Sequence, residues 1–142
     1  MSYGLQRYQS ARANTASKEE ILLMLYEGAV RFLERSIAEL EAGNFAEHKN
    51  FLRRGRAIIE EFQNTLDFEK GGELALQLFD LYGTMLDFLS QANIRRDAGY
   101  IRRVINMLNT LLEGWRGAVA QVKMGGGEVA PPAEAGSVRR DV

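Results

Sequence analysis

The chain has 142 residues, enough for one domain that buries a core of its own. Its 18 basic and 19 acidic residues leave a formal net charge of −1, so no overall positive field attracts nucleic acid or an anionic membrane. The absence of cysteine excludes disulfides, thiolate metal sites and cysteine nucleophiles.

The N-terminal stretch MSYGLQRYQSARANTASKEE contains no apolar core of signal-peptide length. No other run approaches the roughly 18 apolar residues that a membrane-spanning helix needs. We therefore expect a cytosolic protein with no stable membrane insertion.

Apolar residues recur at steps of three and four from residue 17 onwards, the spacing of helices with one buried face. Ser17 and Glu20 stand in capping-box relation and predict the start of the first helix. Gly43 suits a left-handed helix end, and Asn44 is a candidate cap for the second helix, which we expect to end at the sequence FEKGG.

A third helix is predicted from about Glu73 to Ala92, and Asp97 is a plausible cap for a fourth helix that continues to Val122. Both prolines lie beyond this region, so no obligatory helix breaker interrupts it. Four long helices with short connections predict an all-α, antiparallel up-down four-helix bundle. We expect an N-terminal arm or short helix at 1–16, the bundle at 17–124 and a disordered Gly/Pro-rich tail at 125–142.

The paired glycines Gly71 and Gly72 raise the question of a phosphate-binding loop. Such a loop follows a strand and carries a lysine between its glycines with a Ser or Thr after them, whereas here Lys70 precedes both glycines. A turn with one glycine at positive φ is the better interpretation.

Catalytic and metal sites find no support in the residue pattern. His48 is the only histidine, so a di-iron centre built on two Glu-x-x-His motifs is excluded by ligand count. Its place on or beside an apolar stripe indicates a helix-border histidine rather than a general base. We predict no enzymatic activity, no catalytic residue, no metal and no cofactor.

Arginines cluster on the second helix and around the last turn, at Arg53, Arg54, Arg56, Arg95, Arg96, Arg102 and Arg103. Clusters of this kind can bind phosphates. Aromatic residues do not alternate with them in the sequence and the net charge is negative, so we expect solvated helix faces and no nucleic-acid partner.

The apolar faces of the first and third helices are wider than one buried stripe requires. Leu76, Phe79 and Leu86 exceed that stripe on the third helix. Two interpretations remain open: the third helix is the most buried of the four, or the additional side chains form a groove that an apolar partner helix fills. Glycines inside the helices, at Gly28, Gly55 and Gly83, indicate close helix approach.

Two long segments resemble signatures of a known family. TASKEEILLMLYEGAVRFL, residues 15–33, and TLDFEKGGELALQLFDLYGTML, residues 65–86, are similar to the two motifs of the flagellar export chaperone family FliS. The resemblance extends from about residue 3 to residue 122 and includes the NIRRD link. Lys18 stands where the family often has proline, and the tail lies outside the resemblance.

The resemblance implies a cytosolic chaperone that binds the C-terminal segment of flagellin, prevents its premature polymerisation and delivers it to the flagellar type III export apparatus. Leu5 and Tyr8 match an N-terminal motif that docks on the export gate and can also cover the client groove as a lid; the alternative for this arm is a frayed terminus. The residues assigned to the flagellin groove are Ile21, Leu22, Leu25, Tyr26, Ala29, Phe68, Leu74, Leu78, Phe79 and Tyr82.

Two other classes of function compete with this one. The first is a helical adaptor or regulator that binds another flagellar protein or an anti-sigma factor. The second is an RNA-binding bundle that uses the arginine clusters, and its affinity would fall steeply with salt.

Overall fold

In a computed structural model of the protein, residues 17–125 are described, and their side chains are described as far as residue 121. Four helices occupy this part of the chain: α1 (Lys18–Glu41), α2 (Phe45–Asn64), α3 (Phe68–Arg95) and α4 (Ala98–Gly125). The predicted all-α four-helix fold is confirmed. The predicted arm at 1–16 lies outside the described residues, as does the predicted tail apart from Gly125.

The start and the end of α1 follow from local chemistry. The Ser17 Oγ accepts a hydrogen bond from the Glu20 backbone N–H at 3.2 Å, and the Glu20 carboxylate accepts one from the Ser17 N–H, also at 3.2 Å. This reciprocal pair is the predicted capping box. Gly43 has φ +81°, as predicted for a left-handed helix end. Asn44 precedes α2 without a side-chain cap hydrogen bond, and its amide NH2 donates to the Glu39 carboxylate at 2.8 Å.

The junction between α2 and α3 differs from the prediction. The helix α2 ends at Asn64, and the FEKGG sequence forms the first turn of α3 rather than the end of α2. Asp67 caps this turn, since its carboxylate accepts the Lys70 N–H at 3.0 Å. Gly72, with φ +51° and ψ −128°, kinks the helix behind the turn. The predicted positive φ is therefore present, and the non-helical Gly72 separates the short first turn from the long part of α3, which begins near Glu73 as predicted.

Each helix packs against its two neighbours in a closed ring: α1 on α2, α2 on α3, α3 on α4 and α4 on α1. Helices this long joined by two or three residues must run antiparallel to their neighbours. The core lies between all four helices, and its largest fully buried side chains include Tyr26, Leu33, Ile59, Met85, Leu89, Ile101 and Leu108.

A close helix approach occurs at Gly55 of α2. A Cβ at this position would lie 2.7 Å from Leu33 Cδ2 and 2.9 Å from Leu33 Cγ, so only glycine fits beside α1. At Gly28 the nearest side-chain atoms would be 3.9 Å away, and at Gly83 the nearest would be 3.4 Å away. Close approach thus explains Gly55 but not Gly28, and the contact at Gly83 is an ordinary one.

His48 is fully buried between α1 and α2 rather than at a helix border. Its Nδ1 lies 3.0 Å from the Ser36 carbonyl oxygen and 2.9 Å from Ser36 Oγ, and that hydroxyl donates to the His48 carbonyl at 3.0 Å. A carbonyl can only accept, so Nδ1 carries the proton in this arrangement. The pair joins the first two helices by polar contacts inside the core.

Candidate functional site

Six large apolar side chains in the described part of the chain are substantially exposed to solvent. Single exposed apolar residues are common on protein surfaces, so a binding surface requires that several lie together. The six are Leu25 (36% exposed), Phe45 (40%), Phe68 (47%), Leu76 (57%), Phe79 (42%) and Ile94 (74%).

Three of the six share the N-terminal part of α3, and we call Phe68, Leu76 and Phe79 the α3 apolar patch. Leu76 and Phe79 are three positions apart and therefore neighbours on the helix surface. The kink at Gly72 redirects the first turn, and the Phe68 ring lies 6.0 Å from the Phe79 ring between centroids. This patch contains two of the predicted groove residues, Phe68 and Phe79, and brings them into contact.

Leu74 is the third predicted groove residue on α3 that has access to solvent, after Phe68 and Phe79. It is half-buried and packs against the core. Leu76 was recognised in the sequence as exceeding the buried stripe but was not assigned to the groove, and its exposure makes it a member of the patch. Leu86 was placed in the same excess and is buried instead, which corrects that expectation.

On α1 the predicted groove residues Ile21, Leu22 and Leu25 lie near the helix start. Ile21 and Leu22 are half-buried, and Leu22 packs against the core. Leu25 is the most exposed of the three. These side chains remain candidates for partner contact, on a helix diagonally across the bundle from α3.

Four of the predicted groove residues are core residues, and their assignment to an open surface is corrected. Tyr26 and Ala29 have no solvent exposure, while Leu78 and Tyr82 are 5% and 3% exposed. The hydroxyls of Tyr26 and Tyr82 hydrogen-bond to each other across the core. Burial raises the pKa of both phenols, and for Tyr82 the neighbouring Tyr26 raises the pKa further. These side chains support the surface from beneath and cannot contact a partner directly in this structure.

The predicted arm residues Leu5 and Tyr8 lie outside the described residues. Within the described part, no group of three or more His, Cys, Asp or Glu side chains is arranged to hold a metal ion. None of the helices described there combines the length and apolar content required to cross a bilayer.

Sequence reasoning missed a second surface, a groove between α2 and α3 with cationic side chains at its edge. Arg53 and Arg56 were noted only as part of an arginine cluster. Ile94, the most exposed apolar side chain of the six, was not singled out. The available signal was that Ile94 precedes two arginines in the sequence NIRRD. Only the packing of α2 on α3 places Ile94 in the same groove as Arg53 and Arg56.

Comparison with known proteins identifies the family. The family described as flagellar protein FliS matches residues 1–122. The flagellar secretion chaperone FliS of Campylobacter jejuni is 38% identical over 109 residues, which cover 77% of this chain and 85% of the relative. The Salmonella typhimurium protein of the same name is 37% identical over 72% of this chain and 76% of its own length. The flagellar secretion chaperone FliS of Bacillus subtilis is 30% identical over 79% of this chain and 83% of its own length. This chain belongs to the FliS family of flagellar proteins.

Proposed function

We propose that this protein is a cytoplasmic export chaperone that binds the C-terminal segment of flagellin, prevents its premature polymerisation and delivers it to the flagellar type III export apparatus. Its relatives carry the name flagellar secretion chaperone, which supports the chaperone class. The observation that carries the proposal is the α3 apolar patch, a cluster of large side chains that remain open to solvent in the free chain.

The physical reasoning concerns entropy and apolar area. A client segment that is disordered when free loses conformational entropy on binding, so its affinity must come from burial of apolar surface. Phe68, Leu76 and Phe79 provide such surface on α3, and Leu25 provides more on α1. Ile21, Leu22 and Leu74 are partly accessible and extend the proposed contact. Masking of this kind needs neither a catalytic centre nor a cofactor.

The direct test is isothermal titration calorimetry of the chain with the C-terminal segment of flagellin from the same bacterium. Phe79→Asp should weaken binding at least tenfold, because burying a phenylalanine contributes about 1.5–3 kcal/mol. The exposed position of Phe79 means that helicity, measured by circular dichroism, should be preserved. Thr84→Asp, at an exposed position on another face of α3, is the matched control and should bind as the parent does.

Unchanged binding by Phe79→Asp, or equal loss in both variants, would contradict the assignment of the patch. The alternative of an adaptor for another flagellar protein or an anti-sigma factor makes the opposite prediction in the same titration, namely no heat of binding with the flagellin segment.

We propose further that Leu5 and Tyr8 dock on the export gate, an inference that rests on the resemblance of the arm to the family motif. Tyr8→Ala should leave flagellin binding intact and lower the amount of flagellin in the culture medium. Tyr3→Ala makes the same change outside the Leu5–Tyr8 pair and should secrete normally. Normal secretion by Tyr8→Ala would reject the role of the arm.

A further inference from the structure

A groove of about 680 Å³ runs between α2 and the C-terminal part of α3. We call it the basic groove. Its edge carries three cationic side chains and no acidic one among the described residues, and its apolar lining comes from both helices. The residues on which the argument depends are Lys49, Arg53, Arg56, Leu52, Leu89 and Ile94.

Arg56 fixes the geometry of this groove. Its Nη1 donates to the Leu86 carbonyl and to the Ser90 Oγ, both at 3.1 Å, and so crosses from α2 to α3. Its Nε lies 3.3 Å from the Glu60 carboxylate, which partly neutralises its charge. Arg56 is therefore a structural member of the groove, and the charge available to a ligand comes mainly from its neighbours.

Lys49 and Arg53 supply that available charge. Arg53 donates to the Asn50 side-chain oxygen at 2.8 Å, and no carboxylate of the described chain forms an ion pair with either cation. Both side chains are exposed. One face of the groove thus presents two cations that form no ion pair with a carboxylate of residues 17–121, in a chain whose net charge is −1.

The floor between these cations and α3 is apolar. Leu52 and Leu89 are buried beneath the groove, whereas Ile94 is 74% exposed at its end. A ligand that covers Ile94 removes apolar area from water, which favours association. The apolar floor and the cationic edge together favour binding of a ligand that has one apolar face and one acidic face.

The dimensions indicate what form that ligand takes. The lining of α2 extends from Ala46 to Arg56, ten positions, which corresponds to about 15 Å at 1.5 Å per residue. This length accommodates about three turns of a partner helix. We propose that the basic groove binds an acidic amphipathic helix of a partner protein, with its apolar side over Ile94 and its carboxylates on Lys49 and Arg53.

A nucleic acid is the other class of ligand that could use the cations, and the lining disfavours it. Among the residues that the structure describes, no aromatic side chain lines the groove for base stacking. The exposed Ile94 offers an apolar contact to a helix and no hydrogen bond to a base.

The basic groove is separate from the α3 apolar patch. Leu89 follows Phe79 by ten positions, about 15 Å further along α3. The inference therefore does not rest on the proposed function, and no flagellin is needed to test it.

The test uses two synthetic fifteen-residue helical peptides, about one turn longer than the groove. Both carry leucines on one face, and the other positions are mainly glutamate in one peptide and lysine in the other. Fluorescence anisotropy should show binding of the acidic peptide to the full chain and a loss of affinity as salt rises. Arg53→Glu should weaken this binding at least tenfold, and Ile94→Asp should weaken it as well.

Arg54→Glu is the matched control, because it makes the same charge change at the next position on another face of α2. The Arg54 Cζ lies 5.8 Å from the Phe32 ring centroid and 5.6 Å from the Phe51 ring centroid, and Arg54 is not among the residues that line the groove. This variant should bind the acidic peptide as the parent does, and so should Phe79→Asp. Circular dichroism verifies that each variant is folded.

Three results would overturn the proposal. The first is equal affinity for the acidic and the basic peptide. The second is an equal effect of Arg53→Glu and Arg54→Glu. The third is Arg53-dependent binding of a single-stranded oligonucleotide that is tighter than binding of the acidic peptide. Flagellin is absent from the peptide assay. A negative result with the peptides therefore does not contradict the proposed flagellin binding, and a negative flagellin titration does not contradict the basic groove.

Discussion

Tyr26 and Tyr82 join two helices that do not pack side by side. One belongs to α1 and the other to α3, which are diagonal in the bundle, and their hydroxyls hydrogen-bond in the middle of the core. The Phe62 ring stacks on Tyr26 at 4.5 Å and lies 5.7 Å from Tyr82 between centroids. The aromatic rings fill the interior while one hydroxyl donates a hydrogen bond to the other.

Removing one hydroxyl of this pair leaves the other buried without that partner. We expect Tyr82→Phe, and likewise Tyr26→Phe, to lower the free energy of unfolding by about 1–2 kcal/mol. The double variant should lose less than the sum of the two, because neither hydroxyl then remains. Urea unfolding followed by circular dichroism measures all four species. Strict additivity would show that the two hydroxyls do not stabilise each other.

At the scale of the helices, the contact between α1 and α2 depends on the missing side chain of Gly55. Gly55→Ala would place a methyl group 2.7 Å from Leu33 Cδ2, and Leu33 is fully buried and cannot move aside freely. We expect a loss of about 1–3 kcal/mol in unfolding free energy. Gly28→Ala is the control, since its methyl group meets nothing closer than 3.9 Å. That variant should gain up to about 1 kcal/mol from helix propensity, and a gain in both variants would contradict the close contact.

The kink of α3 depends on Gly72. Its φ of +51° with ψ −128° is a conformation that other residues rarely adopt. Gly72→Ala should therefore lower the unfolding free energy by about 1–3 kcal/mol, although open space surrounds the position. Gly117→Ala on α4 also meets no atom within 4 Å, and without a positive φ it should stabilise the protein instead. Thermal unfolding of the two variants side by side tests this. Equal shifts in melting temperature would show that the positive φ at Gly72 does not make alanine unfavourable there.

The whole molecule should become less stable at alkaline pH because of its buried tyrosines. Burial raises the pKa of Tyr26 and Tyr82 above the ordinary value of 10.0, so the folded state retains protons that the unfolded state releases. Below pH 10 both states hold these protons and the stabilisation is complete. Above it, the unfolding free energy falls by up to about 1.4 kcal/mol per pH unit for each tyrosine.

Urea unfolding between pH 9 and pH 11 measures that slope. The variant with Tyr26→Phe and Tyr82→Phe lacks both groups and should show a shallower decline over the same range. An identical slope in the two proteins would assign the alkaline loss to other groups.

Across the molecule, surfaces of two chemical types occupy different parts of the α2–α3 side. The α3 apolar patch follows the kink, and the basic groove lies further along the same helix.

Two ion pairs connect α1 and α4: Arg102 lies 2.7 Å from Glu41, and Arg116 lies 2.8 Å from Glu27. Each is solvent-exposed, so neither contributes more than about 1 kcal/mol. The apolar core, not surface charge, holds the helices together.

Much of the fold could be predicted because its signals are local. The capping box at Ser17, the left-handed Gly43 and the period of the apolar residues each depend on neighbours within four positions. The end of α2 was predicted wrongly at FEKGG, because two adjacent glycines usually end a helix, whereas the predicted start near Glu73 agrees with the break at Gly72. Asp67 restarts the helix before them, and Gly72 then bends it.

The candidate site was predictable only in part. Periodicity shows which side of a helix is apolar, but it does not show how many neighbours cover that side. For this reason Tyr26, Ala29, Leu78 and Tyr82 were assigned with Phe79 to one surface, although burial separates them from it.

The sequence alone determined the number of helices, most of their bounds and the family, since these follow from short-range spacing and from two long motifs. Tertiary structure decided which apolar side chains remain in contact with water and which of the described cations are ion-paired. Arg56 illustrates the difference, because it bonds to Leu86 and Ser90, 30 and 34 positions away. Exposure and charge pairing depend on contacts between helices, and the order of residues within one helix does not specify them.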